Sequence, residues 1–251
     1  MELILVVAAG AALAGFVQGL SGFGFGLTAM ALWAWTLEPR LAASLSVFGS
    51  LVGQLMAVFT VRRGWDWKTL LPFVLGGLAG LPLGLWLLPR LDVPLFKGAL
   101  GLMLVVICPL MFFAARLPRI HGGRTGDAIA GAAGGVMGGL GGFTGVVPTL
   151  WTTVRGFDRD GQRAIIQNFN LTMQLVTFAS YLGTGVLQAR MLPLLAVVAP
   201  AVLASVLLGA RIYLGVSDAA FRKLVLGLLA ASGVALLVAS VPALLARWTG
   251  H

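Results

Sequence analysis

A glycine-rich stretch occurs twice in this chain: residues 15–26 read GFVQGLSGFGFG, and residues 135–146 read GVMGGLGGFTGV. An offset of 120 residues superposes the two stretches and, further along the chain, places Gln54 on Gln174. A long unit that recurs once in this way indicates a duplication rather than an array of short repeats. We therefore predict two homologous halves, each beginning with one copy of the stretch.

The composition around the two stretches is that of a membrane protein. The 251 residues are 59% hydrophobic and 10% charged, and the mean hydropathy is +0.99; a soluble domain averages about 25% charged residues. The net charge of +9 resides in short loops between apolar segments, which is typical of topology determinants and predicts no nucleic-acid partner. A single cysteine, Cys108, provides neither a disulfide nor a thiolate metal site.

Eight uncharged segments follow one another along the chain. A membrane span needs about 20 apolar residues, so six segments fit one crossing each, whereas the first and fifth contain the glycine stretches. Glycine costs about 1 kcal/mol in a helix interior, so each stretch predicts a break. Each broken segment could be one irregular span or a re-entrant pair of half-helices. The segments are 3–37, 41–61, 69–89, 98–115, 128–154, 164–189, 191–210 and 224–246.

Loop charges favour the re-entrant alternative. With one crossing per segment, the two faces carry eight and nine basic residues; with re-entrant broken segments they carry twelve and five, which is a usable positive-inside bias. We therefore predict an all-α polytopic fold of two inverted repeats, residues 1–120 and 121–251. Each repeat has a re-entrant first segment followed by three transmembrane helices. Both termini are expected outside the cytoplasm, and the predicted location is the bacterial cytoplasmic (inner) membrane.

Ionisable side chains are absent from the predicted spans. All eight acidic residues fall at segment ends or in loops, and both histidines lie outside the segments. Such spans hold no group for proton relay, metal binding or general-base catalysis. The glycine stretches also lack the lysine of a phosphate-binding loop. We predict no enzyme activity, no catalytic residue, no metal site and no cofactor.

Neutral polar side chains recur at helical spacing in the second and sixth segments. In the sixth segment they are Gln167, Asn170, Gln174, Thr177 and Tyr181, and in the second Ser46, Ser50 and Gln54. Each set forms one stripe of a helix, which lipid does not favour, so both stripes are expected to face inward. They either bond the helices to one another or line a polar permeation pathway.

The breaks and stripes together predict an anion site. A half-helix that begins inside the protein points unpaired N–H groups and a positive dipole end towards the centre, which is a suitable site for an anion. The absence of buried acids favours a small oxyanion over a cation. The predicted substrate-binding residues are Gln18, Ser21, Gly22, Gly24, Gly26, Ser50, Gln54, Gly141, Gly142, Thr144, Gly145, Asn168, Asn170 and Gln174.

Four motifs, taken together over nearly the whole chain, resemble the sulfite exporter TauE/SafE family. They are GFVQGLSGFGFG, the acidic residue with Pro39-Arg40, the run from Arg62 to Trp67 that reads RRGWDW, and GGLGGFTG. The resemblance implies a secondary transporter or exporter of small sulfur-containing anions such as sulfite, sulfoacetate or related sulfonates. A permease for another small organic anion, such as a carboxylate, is the alternative, followed by a membrane-embedded enzyme and by an accessory subunit without a substrate. The expected partners are a small anionic substrate and the lipid bilayer, with a homodimer left open.

Overall fold

A computed structural model describes residues 1–21, 24–60, 66–116, 118–212 and 218–248. Within those residues every regular element is a helix. Short 3₁₀ turns follow α4 and α5 and precede α9. The ten α-helices are α1 (Glu2–Ser21), α2 (Phe25–Trp33), α3 (Pro39–Thr60), α4 (Trp67–Leu87), α5 (Val93–Phe113), α6 (Gly123–Gly141), α7 (Val146–Val154), α8 (Arg159–Gly183), α9 (Leu192–Ile212) and α10 (Asp218–Trp248).

Both glycine stretches end one helix and begin another, as their composition predicts. Gly24 precedes α2 with a φ of 96°, and Gly142 ends α6 with a φ of 80°. Residues with a Cβ rarely adopt this left-handed conformation, which glycine adopts readily and which commonly ends a helix. The break is therefore confirmed in both copies, although Gly22 lies outside the described residues.

The short helix after each break packs back along the long helix before it. Near the end of α2, the Trp33 indole donates a hydrogen bond to the Val6 carbonyl in the first turns of α1, at 3.4 Å. Near the end of α7, the Trp151 indole donates to the Asp127 carboxylate close to the start of α6, at 2.8 Å. Each broken segment is thus a hairpin with the glycines at its tip.

The two arms of each hairpin differ in length, which corrects the predicted pair of half-helices. Helix α1 has 20 residues and α6 has 19, whereas α2 and α7 have nine each. At 1.5 Å per residue, the long arms extend about 30 Å and the short arms about 13 Å. Only the short arms are half-helices, because α1 continues to Ser21 within segment 3–37 and α6 begins at Gly123, before segment 128–154.

Six helices within the described residues are long and apolar enough to cross a membrane. Five coincide with predicted spans, and the sixth is the long arm α1. Helix α8, which contains most of the predicted span 164–189, is not among them because its charged first turn and its polar stripe lower its hydropathy. The six are Glu2–Leu20, Pro39–Val58, Trp67–Arg90, Val93–Phe113, Ala189–Arg211 and Lys223–Ala246.

The closest helix packing joins the long arm of each hairpin to a helix of the other half. Gly76 and Gly84 of α4 lie against the backbone of Ala128 and Val136 in α6, so these two helices run in the same direction. A Cβ at either glycine would overlap a carbonyl oxygen of α6. Helix α1 packs on α9 in the same parallel manner, with Gly19 against Val206, and small residues allow such close approach.

The principal helix contacts are the same when each helix of the first half is replaced by its counterpart in the second half, α1 by α6, α2 by α7 and so on to α5 by α10, and the reverse. The α4–α6 contact then becomes α9–α1, and the α3–α9 contact becomes α8–α4. The α3–α8 and α5–α10 contacts map onto themselves. Helices α3 and α8, which carry the polar stripes, therefore meet at the centre of the molecule. All eight stripe side chains are buried, which confirms that both stripes face inward.

Candidate functional site

A small cavity lies where the two glycine breaks meet. The volume open to the centres of water-sized molecules is about 20 Å³, which is room for one or two waters. Backbone and side chains from both hairpin tips and from the central helices surround it. The lining residues are Gln18, Gly24, Phe25, Gly26, Leu27, Ser50, Gln54, Gly142, Phe143, Thr144, Gly145, Val146, Asn170 and Gln174.

Most of the residues predicted from the sequence come together at this cavity. Gly141 does not line it; its carbonyl accepts a hydrogen bond from the Ser46 hydroxyl at 2.7 Å. Asn168 does not line it either, because two residues along a helix place it on a different face from Asn170. Gly22 and the side chain of Ser21 lie outside the described residues. The predicted residues that line the cavity are Gln18, Gly24, Gly26, Ser50, Gln54, Gly142, Thr144, Gly145, Asn170 and Gln174.

Four lining residues were absent from the prediction: Phe25, Leu27, Phe143 and Val146. Phe25, Leu27 and Val146 lie in the first turns of α2 and α7, and Phe143 lies in the turn that leads into α7. The sequence feature that could have identified these residues is the position of the break. The backbone of the residues beside a break lines the site whatever side chains those residues carry.

Both half-helices begin at the cavity without a side-chain cap. Neither Gly24 before α2 nor Gly145 before α7 carries a side chain that could accept from the first-turn N–H groups. Among the described residues, the first three N–H groups of α2 have no partner; in α7 the Val146 N–H donates to the Phe143 carbonyl at 3.2 Å, and Val147 keeps an unpaired one. Both helix starts form the positive end of a helix dipole. In α7 the third residue is Pro148, which has no N–H and suits a first turn. The arrangement presents backbone donors to a ligand from two sides.

A close backbone approach brings the two tips together. A Cβ on Gly26 would lie 2.9 Å from the carbonyl oxygen of Gly142, so the first turn of α2 touches the turn between α6 and α7. A side chain at this position would push the two half-helix starts apart. Gly26 therefore permits the single shared cavity.

Part of the polar stripe holds the end of α6 in place. The Gln174 amide donates to the Gly142 carbonyl at 2.8 Å, and the Tyr181 hydroxyl donates to the Gly139 carbonyl at 2.8 Å. The last carbonyls of a helix lack intrahelical partners, and these side chains supply them. Interhelical bonding, one of the two interpretations left open by the sequence, thus applies to Tyr181, while Gln174 both bonds and lines the cavity.

The remaining polar groups at the cavity are neutral. The Thr144 hydroxyl donates to Asn170 Oδ1 at 2.8 Å, so the Asn170 amide keeps its Nδ2 as a donor for another partner. The Ser50 hydroxyl has no hydrogen-bond partner among the described residues. No ionisable side chain lines the cavity, and among the described residues no cluster of His, Cys, Asp or Glu could hold a metal ion.

One acidic residue corrects the predicted absence of buried acids. Asp127 lies in the second turn of α6 and is 2% exposed. Its carboxylate oxygens contact Arg155 Nη1 at 2.5 and 2.6 Å and accept from the Trp151 indole. The sequence places Asp127 at a segment end, and its burial arises because α7 folds back and brings Arg155 to it.

Comparison with known proteins bears on what this site is for. The family model described as "Sulfite exporter TauE/SafE" matches residues 7–236, which is nearly the whole chain. No curated protein and no solved structure matches the chain.

Proposed function

The chain belongs to the sulfite exporter TauE/SafE family, whose members are membrane transporters of sulfur anions, and from this premise we propose that the cavity between the two breaks binds sulfite, sulfoacetate or a related sulfonate during transport. The observation that carries the proposal is the meeting of two uncapped half-helix N-termini at one cavity without ionisable groups. Backbone N–H groups at helix starts bind oxyanions well.

In the bound complex, we propose that the oxygens of the anion accept hydrogen bonds from first-turn N–H groups of α2 and from the N–H groups of Gly145 and Val147 at the start of α7, which have no partner among the described residues. The Asn170 amide and the Ser50 hydroxyl add side-chain donors. Because the cavity is small, the oxyanion group alone occupies it, and a sulfonate's organic part extends beyond it. Neutral donors stabilise the anion without holding it as tightly as a buried cation would, so release remains fast.

We propose further that the two halves are inverted repeats and that each hairpin is re-entrant. Two observations support this: Trp33 and Trp151 each lie beside the start of the preceding long arm, and the helix contacts are unchanged on exchange of the halves. The charge bias then puts the loop around residue 120 in the bacterial cytoplasm. On a Cys108→Ala background, a cysteine at position 120 should react with a membrane-impermeant maleimide only from the cytoplasmic side; labelling from outside would overturn this topology.

The transport proposal is tested in proteoliposomes with a panel of sulfite, sulfoacetate, methanesulfonate and acetate. Asn170→Leu should lower transport of the sulfur anions at least about tenfold, because it removes a hydrogen bond to a charged ligand. Thr172→Val is the matched control: Thr172 lies on the same helix, and its hydroxyl is bonded to the Asn168 carbonyl at 2.9 Å, away from the cavity. Transport of acetate alone would indicate the carboxylate permease, and transport of none of the four anions by folded protein would overturn the proposal.

A further inference from the structure

A line of polar groups runs along α7 away from the cavity. Thr149 and Thr152 follow Gly145 by four and seven residues, so the three share one face of the helix. Thr149 is 4% exposed, and its hydroxyl has no hydrogen-bond partner among the described residues. Thr152 is fully buried, and its hydroxyl accepts from Gln162 Nε2 at 3.0 Å. The face that begins at the anion site therefore stays polar for two turns.

The corresponding face of α2 does not continue in this way. Four residues after Gly24 lies Thr28, which is buried and whose hydroxyl also lacks a partner among the described residues. Seven residues after Gly24 lies Ala31, and the polar character ends there. The two half-helices match for one turn and then differ, so of these two helices only α7 continues the polar face to its far end.

At that end, one nitrogen of the Arg155 guanidinium forms all of its hydrogen bonds to described residues. Its Nη1 contacts both oxygens of Asp127, whereas an arginine–carboxylate pair commonly uses two nitrogens in parallel. Within the described part of the chain, Nε and Nη2 of Arg155 have no hydrogen-bond partner, and the side chain is 24% exposed. The guanidinium lies over the Phe157 ring, 4.9 Å from its centroid. Trp151 holds Asp127 from the other side.

We propose that the open edge of Arg155 is a second oxyanion site, one that an anion occupies between the cavity and the cytoplasmic face. A guanidinium edge can donate to two of the three oxygens of a sulfite or sulfonate group at once. The Asp127 carboxylate orients the guanidinium and offsets its charge, which keeps the site weak enough for release. The inference rests on the proposed function for the identity of the anion, but the binding chemistry is that of any small oxyanion.

The test is methanesulfonate binding to the purified full-length protein by calorimetry, on an Asn170→Leu background that weakens the cavity site. Removing the competing charge with Asp127→Asn should tighten binding at least about tenfold, since an uncompensated guanidinium forms stronger charge-assisted hydrogen bonds. The double variant Asp127→Asn/Arg155→Gln should lose that gain. In transport by the otherwise unaltered protein, Asp127→Asn should lower KM and kcat together, because a tighter site releases the anion more slowly.

A purely structural ion pair gives a different pattern. Each single variant would then lose thermal stability, the double variant would recover it, and methanesulfonate affinity would stay constant; that result overturns the inference. If Asp127→Asn does not fold, Arg155→Lys provides a second test. Lysine keeps the positive charge but lacks the second edge of the guanidinium, so methanesulfonate should bind more weakly. Unchanged methanesulfonate binding would also overturn the inference. Tighter methanesulfonate binding by Asp127→Asn without any transport of sulfur anions would refute the proposed function but not this site. Transport of sulfur anions without that tighter binding would refute this site but not the proposed function.

Discussion

Substituting Gly145 with alanine tests whether the cavity works through the start of α7. Gly145 has a φ of −81°, so alanine fits the backbone without strain. Its new Cβ would lie 2.6 Å from Nδ2 and 2.7 Å from Oδ1 of Asn170, so the Asn170 amide must move. Moving it breaks the 2.8 Å hydrogen bond from the Thr144 hydroxyl.

The expected magnitudes separate binding from folding. Losing one neutral hydrogen bond lowers the free energy of unfolding by about 0.5–1.5 kcal/mol. Replacing glycine with alanine raises it by about 0.4–1 kcal/mol, because the unfolded chain loses conformational freedom. The free energy of unfolding should therefore change by less than about 1 kcal/mol, which is roughly 2–4 °C in Tm for a chain of this size. Anion affinity should fall about 10- to 100-fold, since a displaced Asn170 removes a hydrogen bond of about 1.5–3 kcal/mol to a charged ligand.

The assay combines thermal unfolding in detergent with calorimetric binding of methanesulfonate. Gly183→Ala is the matched control, because Gly183 ends α8 and a Cβ there has no atom within 4 Å. The reasoning is refuted if Gly145→Ala binds methanesulfonate as tightly as the unaltered protein, or if Gly183→Ala loses affinity to the same degree. A large drop in Tm with Gly145→Ala would show that the site around Asn170 is chiefly structural.

Three further outcomes follow from the geometry. Tyr181→Phe should lower the free energy of unfolding by about 1–3 kcal/mol, because it leaves a buried α6 carbonyl unpaired, while methanesulfonate affinity stays constant. Gly80→Val should destabilise the chain by about 1–3 kcal/mol or more by overpacking against the α6 backbone, whereas Ala79→Val on the exposed side of α4 should change the Tm little. The Thr69 hydroxyl, donating at 2.6 Å, is the main cause that lowers the pKa of the Asp66 carboxyl below 3.8; the cap on α4 should persist above about pH 4 and be lost as the pH falls through that lowered pKa, which an NMR titration measures.

Local patterns in the sequence predicted the break and most of the cavity. Glycines that need a left-handed backbone, such as Gly142, and polar residues at helical spacing, such as Asn170, leave a signature within a few turns of one helix. Asp127 left none, because its partner Arg155 lies 28 residues further along the chain and meets it only when α7 folds back.

The close packing of α1 on α9 has a consequence for how the chain is made. During synthesis α1 emerges well before α9, because the helix that covers its Gly15 and Gly19 backbone begins only at Leu192. Until then those glycines lack the helix that covers them in the folded protein. Helix α4, by contrast, receives α6 soon after it is inserted. Assembly should therefore close around α4 and α6 first, and a ribosome stalled before α9 should leave a nascent chain that proteases and membrane chaperones recognise as unfinished.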